Sequence, residues 1–278
     1  MSFSTDIKKE LSQMNDLANK QKVKYELMGY LISDNITRDG KNIRFSTESE
    51  YNINRFSKLL KNVNIEDFLI DIQGKIYSIR LKNIYLENIE KEEIDKIKNI
   101  EYIKSIVRGA FLGSGSINNP ENKYHLEISF GKEKNRNIIK KMLEENNIKV
   151  KTIEKSIYLK DSEEISKFLA FIGATKSVLK FEDIRVQREM NNKINRLVNC
   201  KTANLNKVLN ASIEQIEAIK TLKQNGDFAK LDENLKELAE IRLEHPEMSL
   251  EELGKLLKKP IGKSGVNYRI KKIIELSK

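Results

Sequence analysis

Apolar residues in the first two-thirds of the chain follow helical and strand-like spacings in turn. The segment from Asp6 to about Ser33 has a helical period and ends in ELMGYLISDNI, and a second helical segment ends in SIVRGAFLGSGSI. Each is followed by alternating apolar and polar residues, KNIRFSTES or KYHLEISF, which predict a half-buried strand. The same order of elements therefore occurs twice.

The repeat continues through the following elements. The stretches YNINRFSKLLKNV and KEKNRNIIKKMLEENN predict amphipathic helices. Paired strands come next, DFLIDIQ with IYSIRLKN through Gly74, and IKVKTIE with SIYLKD, and SEEISKFLAFIGA closes the second half as a helix. Each half is predicted as helix, strand, helix, strand, strand, helix, so the fold class is α+β.

Small residues mark the ends of the two leading helices. Placing Gly29 over Gly109 aligns the halves at an offset of about 80 residues and puts Asp34 over Ser114. Together with Ala110 and Gly113, these glycines have no bulky side chain to hold two backbones apart, which predicts a close helix contact. RGAFLGSGS is then either this contact or a site of chemistry, and both interpretations remain open.

After Ala174 the pattern changes to a long polar helix, IRVQREMNNKINRLVNCKTANLNKVLNASIEQIEAIKTL. Its cations are Arg185, Arg188, Lys193, Arg196 and Lys201. The segment is either a linker helix lying on phosphates or a solvated helix with a narrow buried stripe.

Three shorter helices follow. LDENLKELAEIRLEHPE is closed by Pro246, because proline disfavours helix in the preceding residue. SLEELGKLL begins with Ser249 as N-cap and Glu252 three residues later, a capping box. After the break KKPIG, the stretch KSGVNYRIKKIIELSK predicts the last helix.

The last helix has an apolar stripe and a polar, basic face. Val266, Ile270, Ile273 and Ile274 fall at i, i+4, i+7 and i+8. From Lys259 onward, six Lys or Arg stand against one Glu. Two short helices, the second of which has an apolar stripe and a basic face, predict a helix-turn-helix. The alternative is a three-helix bundle with a charged surface. The predicted DNA-binding residues are Lys263, Ser264, Asn267, Tyr268, Arg269, Lys271 and Lys272.

Composition narrows the function classes. The 278 residues carry a net charge of +10, which favours a polyanionic partner. One cysteine and two histidines exclude an internal disulfide and make a metal site unconvincing, and we expect neither metal nor cofactor. The charged N-terminus MSFSTDIKKEL and the lack of a long apolar run predict a cytoplasmic protein with no membrane partner. GKSG is no phosphate loop, since Leu257 stands where that motif needs glycine, and we expect no small-molecule substrate.

The duplicated pattern resembles the LAGLIDADG homing endonucleases. In that family two such helices form the central interface, and each carries near its end an acid that binds the catalytic metal. Those positions correspond to Asp34 and Ser114 here. A neutral hydroxyl poorly replaces a carboxylate ligand of a hard cation, so the resemblance implies a degenerate site with no catalytic residue.

The whole chain resembles the WhiA family of bacterial regulators, on the blocks MSFSTDIKKEL, RGAFLGSGSI, NRLVNCKTANLNK, RLEHPEMSLEELG and KKPIGKSGVNYR. The resemblance implies a duplicated αββαββα-type domain followed by an all-α helix-turn-helix domain. The predicted boundaries are 1–180 for the first domain, with halves of about 1–95 and 96–180, then a basic helical linker over 181–230 and the helix-turn-helix region over 231–278. One departure is Gly262 at the N-cap of the last helix, where serine caps better.

The resemblance also implies a function. We expect a nucleoid-associated regulator that binds double-stranded DNA and acts in transcription, cell division and chromosome segregation, with transcription machinery or another regulator as a further partner. The alternative is a protein-interaction scaffold that works through transcription or division partners. An active homing-type endonuclease is disfavoured by Ser114.

Overall fold

The computed structural model describes residues 2–90 and 93–278. The chain divides into two compact units, the first ending at Glu189 and the second beginning at Met190. The domain boundaries that the sequence predicts near residues 180 and 230 stay a prediction. No helix in the described ranges has the length and apolar character needed to cross a membrane.

The first half of the first unit contains a four-stranded antiparallel sheet in the order β1-β2-β4-β3. Tight turns connect its strands, and Gly74 has the left-handed φ of 62° that the β3–β4 turn requires. Its elements are α1 (Phe3–Ser12), α2 (Lys20–Leu31), β1 (Ile36–Asp39), β2 (Asn42–Thr47), α3 (Glu50–Asn62), β3 (Phe68–Gln73), β4 (Ile76–Lys82) and α4 (Glu87–Glu90).

The second half repeats this plan, with a sheet in the order β5-β6-β8-β7. Its elements are α5 (Ile100–Ser114), β5 (Gly115–Ile117), β6 (Leu126–Ser129), α6 (Glu133–Glu145), β7 (Lys151–Ile153), β8 (Ser156–Leu159) and α7 (Ser162–Ile172). The order αββαββα is thus present twice, from α2 to α4 and from α5 to α7. The repeat predicted from the sequence is confirmed.

Two details of the sequence-based prediction were wrong. The pattern gave one strand after each leading helix, but β1 and β5 precede the expected strands and are only 4 and 3 residues long, too short to show alternation. The single helix expected from Asp6 to Ser33 is broken into α1 and α2. The break ends at Asn19, whose side chain accepts hydrogen bonds from the N–H groups of Gln21 and Lys22 and so starts α2 anew.

Helices α2 and α5 cross in backbone contact at the centre of the unit. A Cβ on Gly29 would lie 2.1 Å from the carbonyl oxygen of Ile106, and one on Gly109 would lie 2.0 Å from that of Glu26. The two contacts are related by the predicted offset, since 26 and 29 correspond to 106 and 109. The helix contact predicted from the small residues is confirmed, and each sheet packs its apolar face around it.

A group of four charges, three buried and one half-buried, lies beside this crossing, and we call it the ion cluster. Arg55 from α3 donates to Glu26 at 2.8 and 2.9 Å and to Asp16 at 2.5 Å, and Arg108 from α5 donates to Glu26 at 3.1 Å and to Asp16 at 2.7 Å. Burial opposes ionisation of Asp16, but the charges of Arg108 and Arg55 outweigh it and hold the pKa of this carboxyl below its usual value. Arg55 also donates to the Met14 carbonyl at 2.7 Å. The ion cluster therefore fixes the loop between α1 and α2 onto α3 and α5.

The second unit is all α. Helix α8 (Thr175–Gln224) begins in the first unit, before the predicted helical stretch that starts at Ile184, and its end packs on α9 (Glu233–Glu244), α10 (Leu250–Leu256) and α11 (Lys263–Leu276). Arg242 is buried and donates to the carbonyls of His245, Pro246 and Met248, so it holds the turn between α9 and α10. The core of this unit includes Ile219, Leu222, Leu235, Leu238, Leu253, Val266, Ile270 and Ile273.

Adding one methyl group at the helix crossing tests the contact. Gly109→Ala places a Cβ against the Glu26 carbonyl, which cannot move without separating α2 and α5, so we expect a loss of about 3 kcal/mol in unfolding free energy. The measurement is urea unfolding by circular dichroism, with hydrogen exchange of the α2 and α5 peptides. Gly131→Ala is the control, because a Cβ there comes no closer than 4.0 Å to Ser33. Equal stability of the two variants would contradict the packing.

The ion cluster predicts a defined dependence of stability on pH. The folded pKa of Asp16 is lowered, so its ionised form stabilises the fold above the unfolded pKa, and this contribution is lost as pH falls through the folded pKa. We expect Asp16→Asn to cost about 2 kcal/mol at neutral pH and progressively less under acid. Urea midpoints at several pH values measure this, with the exposed Asp39→Asn as control. A cost that is independent of pH would refute the assignment.

Candidate nucleic-acid interface

The two positions that correspond to catalytic acids meet at one backbone carbonyl. The Asp34 N–H donates to the Ser129 oxygen at 3.2 Å, and the Ser114 hydroxyl donates to the same oxygen at 2.5 Å. Ser33 lies opposite Gly113, where a Cβ would come within 2.4 Å of the Ser33 hydroxyl. The helix ends are therefore closed by hydrogen bonds and tight packing.

The groups at this location take part in packing and backbone hydrogen bonds. The Ser114 hydroxyl is half-buried and engaged with the backbone, and the Asp34 side chain is exposed. Across the residues that the structure describes, no three His, Cys, Asp or Glu side chains group as metal ligands. One carboxylate beside a hydroxyl is a weak ligand set for Mg²⁺.

The capping box of α10 forms as predicted from the sequence. The Ser249 hydroxyl accepts from the Glu252 N–H at 3.4 Å, and the Glu252 carboxylate accepts from the Ser249 N–H at 2.8 Å. These hydrogen bonds from Ser249 hold the pKa of Glu252 below its usual value. The start of α10 is therefore fixed.

The turn between α10 and α11 depends on a residue that sequence reasoning missed. The Ile261 N–H donates to the Gly254 carbonyl at 3.1 Å, and a Cβ on Gly254 would lie 2.2 Å from the Ile261 oxygen. Only glycine allows the chain to fold back so closely. A glycine inside a short amphipathic helix, next to a helix-turn-helix turn, was the available signal.

Helix α11 divides into the two faces predicted. Val266, Ile270 and Ile273 are almost fully buried, and Ile274 is partly buried. Gly262 is the N-cap and makes no side-chain hydrogen bond, as expected of glycine. The buried stripe anchors the helix and leaves its other side in solvent.

Most of the predicted DNA-binding residues lie together on that solvent side, which we call the α11 face. Tyr268 is 71% exposed, which is unusual for an aromatic residue. Arg269 is half-buried at the edge, and Lys272 faces Asp232 at 3.9 Å. The exposed members of the face are Lys263, Ser264, Asn267, Tyr268, Lys271 and Lys272.

The cations of α8 divide into two groups. Arg185 pairs with Glu182 at 2.8 Å, and Arg188 lies over the Tyr124 ring, 4.5 Å from its centre, and donates to the Pro120 carbonyl. These two arginines therefore serve packing within the first unit. Further along α8, the predicted cations Lys193, Arg196 and Lys201 are exposed, as are Lys207, Lys220 and Lys223.

Comparison with known proteins identifies the family. Residues 103–191 match the model of the WhiA LAGLIDADG-like domain, and residues 194–277 match the WhiA C-terminal HTH domain. A protein of Enterococcus faecalis named "Probable cell division protein WhiA" is 38% identical over 308 residues, which cover 100% of this chain and 97% of that protein. The chain belongs to the WhiA family. A Clostridium perfringens relative of the same name is 34% identical over 312 residues, covering 100% of this chain and 98% of its own.

A solved WhiA structure has the same architecture. The full-length DUF199/WhiA from Thermatoga maritima matches with a TM-score of 0.65 and 29% identity, covering 100% of this chain and 98% of that one. The LAGLIDADG-like domain followed by a helix-turn-helix domain, expected from the sequence, is therefore confirmed for this WhiA chain.

An acid at position 114 tests whether the Ser114 hydroxyl stabilises the fold through its hydrogen bond to the Ser129 carbonyl. Ser114→Asp removes a donor and places a carboxylate against the Ser129 carbonyl, so we expect a loss of about 2 kcal/mol in unfolding free energy. Ser114→Ala, the control, should cost about 1 kcal/mol because it only removes the hydrogen bond. Thermal unfolding is measured with and without millimolar Mg²⁺. Recovery of Ser114→Asp by Mg²⁺ would show a latent metal site with Asp34 instead.

Proposed function

We propose that this WhiA chain is a sequence-reading DNA-binding regulator and that α11 is its reading helix. The observation that carries the proposal is the α11 face, a continuous exposed row of amide, phenol, hydroxyl and ammonium groups on a helix anchored by a buried stripe. A helix of this kind fits the major groove, where side chains reach base edges.

The residues of the α11 face divide by the contacts that their chemistry allows. Asn267 and Tyr268 lie in the middle of the face, and an asparagine amide can pair with adenine in a bidentate manner. Lys263 and Lys271 stand one turn or more to either side and suit phosphates. Lys272 contributes less, because Asp232 already faces it. Asn267 is therefore proposed to give specificity, and the lysines affinity and register.

We further propose that the LAGLIDADG-like domain does not cut DNA. The support is that Ser114 offers a neutral hydroxyl, which donates to the Ser129 carbonyl, and not the charged oxygen that a hard cation prefers. Phosphodiester cleavage with two metals needs charged ligands on both sides of the reacting phosphate. The domain then serves as a platform for the DNA-bound protein.

The wider role is proposed from the relatives' name, "Probable cell division protein WhiA". A DNA-reading protein of this family would act on cell division and chromosome segregation by controlling transcription, and it would be found with the nucleoid in the cytoplasm. Transcription machinery or a second regulator would be its protein partner.

DNA selection followed by binding measurements tests the reading helix. Sites are selected from random duplexes, and fluorescence anisotropy is measured at several salt concentrations with Mg²⁺ present and product lengths checked. Asn267→Ala should cost about 1–3 kcal/mol on the selected site and little on a mismatched one, and Lys271→Ala should lower the log–log salt slope by about 1 on both.

The matched control is Lys230→Ala, an exposed lysine outside the α11 face that pairs with Asp227. It should leave the affinity for both duplexes unchanged. If all three variants bind alike, α11 is not the reading helix. If the parent protein cuts DNA, the proposal that the LAGLIDADG-like domain does not cut DNA is wrong.

A further inference from the structure

The internal duplication creates the same helix-binding groove twice, and the described residues place a helix in only one copy. Helix α1 occupies the first groove, between α3, α5 and β5, and buries Phe3, Ile7 and Leu11 there. The second groove lies between α6, α2 and β1 and has a volume of about 780 Å³. We call it the open groove.

The equivalence of the two grooves rests on matched hydrogen bonds. The Asn52 amide of α3 donates to the Leu112 carbonyl at the end of α5, at 2.7 Å, and the Asn135 amide of α6 donates to the Ile32 carbonyl at the end of α2, at 3.4 Å. At Gly29 and Gly109, the same two helices, α2 and α5, contact each other at equivalent positions. Positions in α3 thus correspond to positions 83 residues later in α6.

The first-half residues that contact α1 correspond to second-half residues that line the open groove. Lys9 lies over the Tyr51 ring, 4.7 Å from its centre, and Lys8 lines one depression with Glu48 and Ser49. The counterparts of Glu48, Ser49 and Tyr51 are residues 131, 132 and 134, all of which line the open groove. Its floor is apolar, formed by Met28, Leu31, Ile32, Ile36 and Ile138.

The charges beside α3 in the filled groove and beside α6 in the open groove differ in sign. In the filled groove, the rim at α3 includes Glu48 and faces the lysines of α1, and the opposite rim includes Lys180, which pairs with Asp6 at 3.2 Å. Glu10 on that side also accepts from the N–H groups at the start of α8.

In the open groove, the lining includes Lys132 and Lys134 from the start of α6, Arg38 from β1, and Glu93 and Asp95 from the segment before α5, where Glu93 also pairs with Lys96. Moreover, Lys132 is the N-cap of α6 and makes no capping hydrogen bond, whereas Ser49 caps α3. An acidic side chain would therefore be favoured beside α6. A second copy's α1, with its lysines on that side, has the wrong charges.

We propose that the open groove binds an amphipathic helix of a partner protein, with large apolar residues four positions apart, an acidic flank toward Lys132 and Lys134 and a basic flank toward Glu93 and Asp95. The site gives this regulator a protein-docking surface that is separate from the α11 face. Helix-in-groove recognition uses the same spacing that Phe3, Ile7 and Leu11 show in the filled groove.

Two stapled, fluorescein-labelled peptides with the sequence of residues 2–13 test the proposal against the full chain. One is native, and the other carries Asp6→Lys, Lys8→Glu, Lys9→Glu and Glu10→Lys. We expect saturable binding of the reversed peptide, measured by anisotropy, and about tenfold weaker binding of the native one, since several exposed ion pairs change sign together.

Variants of the chain locate the site. Lys132→Glu/Lys134→Glu should abolish the preference for the reversed peptide, and Ile138→Glu should weaken both peptides. Lys58→Glu/Lys61→Glu, two exposed lysines of α3, is the control of equal charge change and should bind like the parent. DNA affinity should be the same in all variants, so failure of this proposal is distinguishable from failure of the reading helix.

Three outcomes would overturn the proposal. The first is no binding of the reversed peptide, and the second is equal affinity for both peptides. The third is self-association of the chain in sedimentation velocity that Ile138→Glu removes, which would make a second copy the occupant. Circular dichroism of each variant excludes unfolding as the cause. If Ile138→Glu is unstable, the Lys132→Glu/Lys134→Glu variant still tests the site.

Discussion

The backbone contact between α2 and α5 is the constraint on which the first unit depends. With a Cβ-to-oxygen distance near 2 Å on both sides, no residue except glycine fits at positions 29 and 109. The contact brings the C-terminal ends of the two helices together, and β1 and β5 begin just beyond those ends, one in each sheet. The relation between the two halves therefore follows from where two glycines stand, and the ion cluster beside them holds α3 and the α1–α2 loop to the same crossing.

This geometry explains how a LAGLIDADG-like scaffold can keep its fold whatever residues stand at positions 34 and 114. The glycines and the apolar faces of the sheets maintain the fold, whereas the acid positions lie one turn beyond the crossing and are free to change. Ser114 shows the result, because its hydroxyl has become a hydrogen-bond donor to the Ser129 carbonyl. Packing at the centre and chemistry at the edge are separable in this architecture, so conservation of the fold in the WhiA family does not require conservation of a reaction.

Local signals made much of the structure predictable from the sequence. The glycine pair with its fixed offset gave the duplication, and Ser249 with Glu252 gave the start of α10. The stripe from Val266 to Ile274 gave the orientation of α11, because a helix buries the residues that share its apolar face. The ion cluster could not be predicted in this way. Glu26 meets Arg55 and Arg108 at separations of 29 and 82 residues, and no local period links charges so far apart. The break between α1 and α2 was missed for the same reason, since distant arginines hold the loop through Met14 and Asp16.

Duplication also explains why the open groove exists and why its charges differ from those of its counterpart. Two halves of the same plan must produce two equivalent grooves, but the chain has only one N-terminal helix to fill them. The filled groove is constrained by α1, because Asp6 and Glu10 must meet the start of α8. Among the described residues of the first unit, no such helix lies in the open groove, and lysines beside α6 replace the acid found beside α3. An apolar floor with lysines at the start of α6 favours a bound helix whose acidic flank lies on that side, and this charge preference separates a docking groove from a packing defect.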